Sequence, residues 1–283
     1  MDGWMRKKLD NLEPDVEDAI NKGQACALDL MQQRMASEGA KLPRTRRLAL
    51  IALFAAIHGS LAAVPGIWGP SEVARSFVIF IEPLEGILLG PAAGFASASI
   101  GCVLGRIMRP REEGFVLGVA FGMGEAVAAI MAGLMFKKKW SLVLVIYSAM
   151  LAAFLADPLT WSTPLPLWTI WDTFLALFAI FPAHLAVRRA LADRKGAERL
   201  GAAVALTTFV STEADMLFRI FLLIPLKFYT LYPIPVEVLP AVFMLGAVVT
   251  PIEAVLSTLV TTVLAVPVLL SIERSKAMSW PIT

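Results

Sequence analysis

Long apolar stretches recur down this chain, near residues 47–65, 73–90, 91–108, 115–136, 141–157, 167–187, 200–226 and 238–266. A bilayer core needs about 20 apolar residues per helix. A strand cannot satisfy its backbone in lipid unless it closes into a barrel. The pattern therefore predicts an all-α fold, a polytopic membrane helix bundle of about eight spans. Composition agrees: 58% of the residues are apolar and only 17% charged, with mean hydropathy +0.71. A soluble globular fold and an intrinsically disordered chain fit this poorly.

Charge is concentrated at the start, with 17 of the 48 formal charges before residue 48. Arg6, Lys7 and Lys8 are followed by Asp10, Glu13, Asp15, Glu17 and Asp18 and not by an apolar core, unlike a secretory signal. Residues Pro14 to about Ala36 are expected to form a polar helix with acidic residues at its positive end. The expected division is thus a cytoplasmic N-terminal extension over 1–44, a transmembrane domain over 45–273 and a cytoplasmic tail over 274–283. The glycine-proline pair at 90–91 should make a tight turn between two spans, and Pro251 should kink or divide the last one.

Basic clusters orient such a bundle. Arg44, Arg46 and Arg47 precede the first span, and Lys137–Lys139 follow the fourth. Arg188, Arg189 and Arg199 lie after the sixth, and Arg274 and Lys276 after the eighth. With both termini cytoplasmic, all of these fall on the inner side. Arg106, Arg109 and Arg111 fall on the outer side against the rule.

Ionised side chains inside a membrane are costly and mark functional sites by default. Arg75, Glu82, Glu85, Glu125, Asp157, Asp172, Glu213, Asp215, Arg219 and Glu253 all lie in or near the spans. Asp215 and Arg219 are four apart and share a helix face. Arg75, Arg106, Asp157, Asp172 and Arg219 belong to the outer half in this topology, which implies a wet cavity open to the exterior. Trp161, Trp168 and Trp171 crowd the same region and Trp68 lies in the loop after the first span. The expected solute site is therefore Trp68, Arg75, Arg106, Asp157, Trp161, Trp168, Asp172, Asp215 and Arg219. Arg106 and Arg219 would anchor an anionic group.

Small residues recur every four positions at Gly86, Gly90 and Gly94, at Gly118 and Gly122, and at Ala52 and Ala56. Such spacing lets helices approach closely. No Walker A, His-Glu-x-x-His or Gly-x-Ser-x-Gly sequence is present, and His58 and His184 have no sequence neighbours that suggest ligation. No enzymatic activity, no metal site, no nucleic-acid partner and no cofactor in this chain are expected. Cys26 and Cys102 suggest no disulfide framework.

The run from Pro83 to Phe95, PLEGILLGPAAGF, followed by Ala98 and Gly101 to Gly105, resembles the second-to-third helix junction of substrate-binding S components of energy-coupling factor (ECF) transporters. The stretch from Arg46 to Ala56 is similar to their first helix, in which an Ala-x-x-x-Ala face docks on a transmembrane T subunit; Ala52 and Ala56 would be the matching positions. Thr212 to Leu217 is a weaker echo. The resemblance covers about residues 45 to 108. It implies a six-helix core, here with an added hairpin, in a multi-pass protein of the prokaryotic plasma membrane. The implied function is uptake of a vitamin or other micronutrient, with ATP hydrolysed by two cytoplasmic ATPase subunits and not by this chain. The other function the residues allow is a secondary transporter coupled to protons through Glu125, Asp215 or Glu253.

Overall fold

A computed structural model describes residues 44–64, 66, 75–110, 114–162, 165–192, 196–231 and 235–275. These lie in one compact unit that begins at Pro43. The N-terminal extension and its expected helix, Trp68, Cys26 and most of the C-terminal tail fall outside the described residues.

The described residues form helices joined by turns, with no strand. We number the helices α1 (Arg44–Ala63), α2 (Glu82–Leu89), α3 (Pro91–Met108), α4 (Phe115–Phe136), α5 (Trp140–Ala156), α6 (Pro158–Ser162), α7 (Trp171–Ala192), α8 (Ala197–Leu223) and α9 (Leu239–Ser275). Five helical stretches are long and apolar enough to cross a membrane: α1, α3, α4, Leu167–Ala192 and Val236–Arg274. Helix α5 is apolar but shorter. Helix α8 has the length, 27 residues, but it carries Glu213, Asp215 and Arg219 in its second half.

Polarity is inverted relative to a water-soluble protein. Val116, Phe178 and Val263 are more than 70% exposed, whereas Arg75 and Arg106 are among the largest fully buried side chains. This is the distribution of a bundle whose solvent is lipid: apolar groups cost nothing outside, and charged groups must find partners inside.

Glycines set how closely the helices pack. Gly90, at φ 85° and ψ 170°, adopts a conformation that a residue with a side chain rarely takes. It turns the chain from α2 into α3, whose first residue is Pro91, a favourable opening position. Gly86 lies against the backbone of Ala129 and Gly133 on α4, and Gly94 against Gly86 itself. The four-residue glycine spacing thus serves packing within the chain. Helices α1 and α3 run parallel, because Ser97 donates to the Ile51 carbonyl while Gly101 meets His58 and Gly105 meets Ala62. Helix α4 returns antiparallel, with Gly122 on Cys102 and Gly133 on Pro91.

One expectation about helix continuity is corrected, and of the two outcomes expected at Pro251 the division does not occur. The stretch 73–90 is not one helix. Its described part is a 3-10 turn at Phe77–Phe80, a break at Ile81, then the eight-residue α2. It runs alongside α9, where Ser257 donates to the Ile79 carbonyl (2.6 Å) and Thr261 to the Phe80 carbonyl (2.8 Å). Those hydroxyls replace the ladder that an unbroken helix would supply. Conversely, α9 is not divided at Pro251 but runs 37 residues through it and through Pro267. Proline has no N–H to give the carbonyl four residues back, here that of Ala247. Trp171 Nε1 donates to that oxygen at 3.3 Å.

Two of the basic clusters lie close together. Lys137, in the turn after α4, is held below the usual lysine range by partial burial first, and then by Lys139 and Arg47 nearby. The start of α1 and the α4–α5 turn are therefore at the same end of the bundle. The start of α8 joins Pro267, Ser271 and Arg274 of α9 in lining a surface recess of about 720 Å³.

Candidate functional site: a buried charge network

A chain of ion pairs runs through the interior. On α1, His58 sits between two carboxyls, with Nδ1 3.0 Å from Glu85 Oε1 and Nε2 3.0 Å from Glu125 Oε2. Both ring nitrogens face acid oxygens, so a proton lies on each of these contacts. Gly101 on α3 makes this possible, because a side chain there would overlap the imidazole. Glu125 on α4 also receives Arg106 Nη2 at 3.2 Å and lies 3.7 Å from Arg219 Nη2. Arg106 Nε and Nη1 donate to the carbonyls of Gly118 (3.1 Å) and Ala62 (3.3 Å), both near helix ends.

Arg219 Nε donates to Asp215 Oδ1 at 2.8 Å, the four-residue pair expected on α8. Gly124 leaves room for that carboxylate. Arg75 Nη1 lies 3.5 Å from the other oxygen of Asp215. The Arg75 side chain donates from Nε to Glu253 Oε2 (2.8 Å), from Nη1 to the Thr212 carbonyl (2.8 Å) and from Nη2 to the Thr250 carbonyl (3.4 Å). Its backbone N–H donates to Glu253 Oε1 at 3.0 Å. Asp172 closes the series: Thr250 Oγ1 donates to its Oδ2, and the Thr173 amide to its Oδ1 at 2.9 Å. One connected system thus ties α1, the 75–89 stretch, α3, α4, α8 and α9, with α7 attached through Thr250.

Every charged member is at most 4% exposed. Seven carboxyls (Glu82, Glu85, Glu125, Asp172, Glu213, Asp215, Glu253) face three guanidiniums (Arg75, Arg106, Arg219) and one imidazole. The carboxyls exceed the cations even when His58 is charged. Glu82 and Glu213 have no hydrogen-bond partner on either oxygen, and Arg219 Nη1 and Nη2 make no hydrogen bond. Among the described residues no group of three His, Cys, Asp or Glu side chains is placed to hold a metal ion.

Of the nine residues expected to bind solute, Arg75, Arg106, Asp172, Asp215 and Arg219 come together in this network. Their surroundings differ from the wet cavity expected: these charges are shielded from solvent, each at most 4% exposed. Asp157 is elsewhere, half-buried at the α5–α6 junction, where Oδ1 accepts the Leu159 amide at 2.8 Å. Trp161 and Trp168 are each 64% exposed. Trp161 Nε1 caps α5 by donating to the Leu155 carbonyl at 2.7 Å. Exposed tryptophan rings suit a membrane interface, and these two do not join the network. Trp68 falls outside the described residues. Ala52 and Ala56 lie on the exposed face of α1 together with Ala49 and Ser60.

Sequence reasoning missed His58, which reads as a lone histidine among alanines yet bridges two elements of the network. Its signal was the glycine-rich run of α3, which clears space for a ring. Glu82, Glu85, Glu125, Glu213 and Glu253 were legible as charges at membrane depth, but not as its members. Compared with family models, with curated proteins and with solved structures, the chain matches none.

Proposed function

We propose that this chain is a membrane-embedded solute-binding subunit of an ATP-driven importer, of the S-component kind, and that the charge network is its solute site in a closed state. The observation that carries the reading is that network: ionisable residues from seven helical elements meet at the heart of a bundle whose outside is apolar. Polar groups buried in a membrane bundle serve solute or ion passage far more often than stability. The broken 75–89 passage adds support, since interrupted helices accompany binding sites in transporters.

The bare alanine face of α1 suits docking on a T subunit. Both termini would be cytoplasmic in a prokaryotic plasma membrane, with the basic end inward, and the 75–89 stretch would count as one of eight passages. Within the site Arg219, whose terminal nitrogens make no hydrogen bond, is better placed to meet a ligand than Arg106, whose three nitrogens are engaged.

The test is co-purification. The full chain should bring down T and ATPase subunits from its host, or carry a small molecule detectable after denaturation. Folded protein that repeatedly yields neither overturns the reading. The excess of carboxyls favours a second reading, proton-coupled transport by the chain alone. Uptake into liposomes driven by a pH gradient without ATP would establish that one instead.

A further inference from the structure

We propose that Glu213 binds a single monovalent positive charge, either a proton or a small cation such as an alkali or alkylammonium ion, where α7, α8 and α9 meet. Both of its carboxyl oxygens are buried without a hydrogen-bond partner, and Thr173 Oγ1, next to Asp172, is in the same condition. The charged groups that bear on Glu213 are Asp172 from α7, Asp215 from α8, Glu253 from α9 and Arg75 from the broken passage. Tyr147 on α5, whose hydroxyl donates to the Thr173 carbonyl at 2.9 Å, also lies within electrostatic reach. Three acids therefore surround it with one cation.

That cation is committed. Arg75 holds Glu253, Asp215 and two backbone carbonyls. The oxygens of Asp172 already take donors from Thr250 and the Thr173 amide. None of these groups is hydrogen-bonded to Glu213. A buried ionised carboxylate that makes no hydrogen bond and is outnumbered by like charges is strongly disfavoured, and neutralisation relieves it. An anion would worsen the imbalance. Among the described residues a divalent metal finds no three-ligand group, whereas one proton or one monovalent ion meets the need. The oxygens of Glu213 are hard acceptors of the type such ions choose. The anionic cargo expected from Arg106 and Arg219 is thereby replaced by a positively charged one at this position. The link to transport rests on the proposed function above; the binding itself does not.

The experiment uses the purified full chain in lipid nanodiscs without partners. Infrared spectra are recorded across a pH series in wild type, Glu213→Gln and Glu213→Asp. Melting temperatures are compared in sodium, potassium and methylammonium chloride against choline chloride at equal ionic strength, with sodium phosphate as the anion arm. A protonated-carboxyl carbonyl band that disappears in Glu213→Gln identifies the proton. A melting temperature raised by one of the three small cations, but not in Glu213→Gln, identifies the cation. Should Glu213→Gln not fold, Glu213→Asp keeps the carboxyl and must shift the band frequency or weaken the cation response at least several-fold. The proposal is overturned if wild type has neither an acid band nor a cation response. It is equally overturned if both survive unchanged in the Glu213 variants, or if phosphate alone stabilises. These readouts need no T subunit and no flux, so the importer reading can fail while this one stands, and the reverse.

Discussion

At Arg75 a single residue joins three parts of the bundle, through Glu253 and the Thr250 carbonyl on α9, Asp215 and the Thr212 carbonyl on α8, and its own position before the 3-10 turn. Removing one member of a buried pair strands the others, at about 3–5 kcal/mol. Arg75→Ala should therefore lower unfolding stability in detergent by roughly that amount. Arg75→Lys should recover only part of it, because an ammonium cannot reach four acceptors in a planar fork. Unfolding by denaturant with a tryptophan fluorescence readout would measure both. Single charges were visible in the sequence because each interrupts an apolar run. Their partners were not: His58 and Glu85 are 27 residues apart and Arg75 and Glu253 178 apart. Only the Asp215–Arg219 pair lay within one helical turn, and it was the one pairing the sequence disclosed.

Among the elements, α9 and the broken passage departed most from expectation, for opposite reasons. A proline in a pattern marks a lost hydrogen bond, but the pattern cannot show that Trp171 from another helix supplies the replacement. Trp171→Phe should destabilise by about 1 kcal/mol, the ordinary value of a hydrogen bond. In Pro251→Ala, where the backbone regains its N–H, the same change should cost measurably less. A double-mutant cycle on unfolding would show this non-additivity, and additive effects would separate the two residues. In the 73–90 stretch, apolar composition suggested a continuous helix, whereas the chain breaks at Ile81 and leans on hydroxyls of α9. Composition reports burial well and continuity poorly. The glycine spacing was legible, and its consequence is steep. Gly86→Ala would push a methyl into the backbone of Ala129 and Gly133, so folded yield should drop sharply, while Gly201→Ala, in open space, should be neutral.

For the whole molecule, a helical membrane bundle could be read from the sequence, because hydropathy and the length of a span are properties of the chain alone. The closed state of the charge network could not, since shielding is a property of the assembled bundle. Ala52→Trp and Ala56→Trp alter an exposed face, so monomer stability and the network should be unaffected; under the proposed importer function, capture of a T subunit should be lost. Loss of folding would place that face inside. Orientation is tested by single cysteines at Lys138 and Arg109: an impermeant thiol reagent added to intact cells should label the second and spare the first.

The stretch from Arg75 to Ile81 has a mechanical consequence. Beyond the short bonds of its own 3-10 turn, it is fastened by side chains: the Arg75 clasp on Glu253, Asp215 and the Thr212 and Thr250 carbonyls, and two hydroxyls of α9. A helix must be unwound turn by turn before it moves aside. A strip riveted through side chains would come away only once the Arg75 clasp and both hydroxyl rivets had parted, and the acids that Arg75 covers would then be bared.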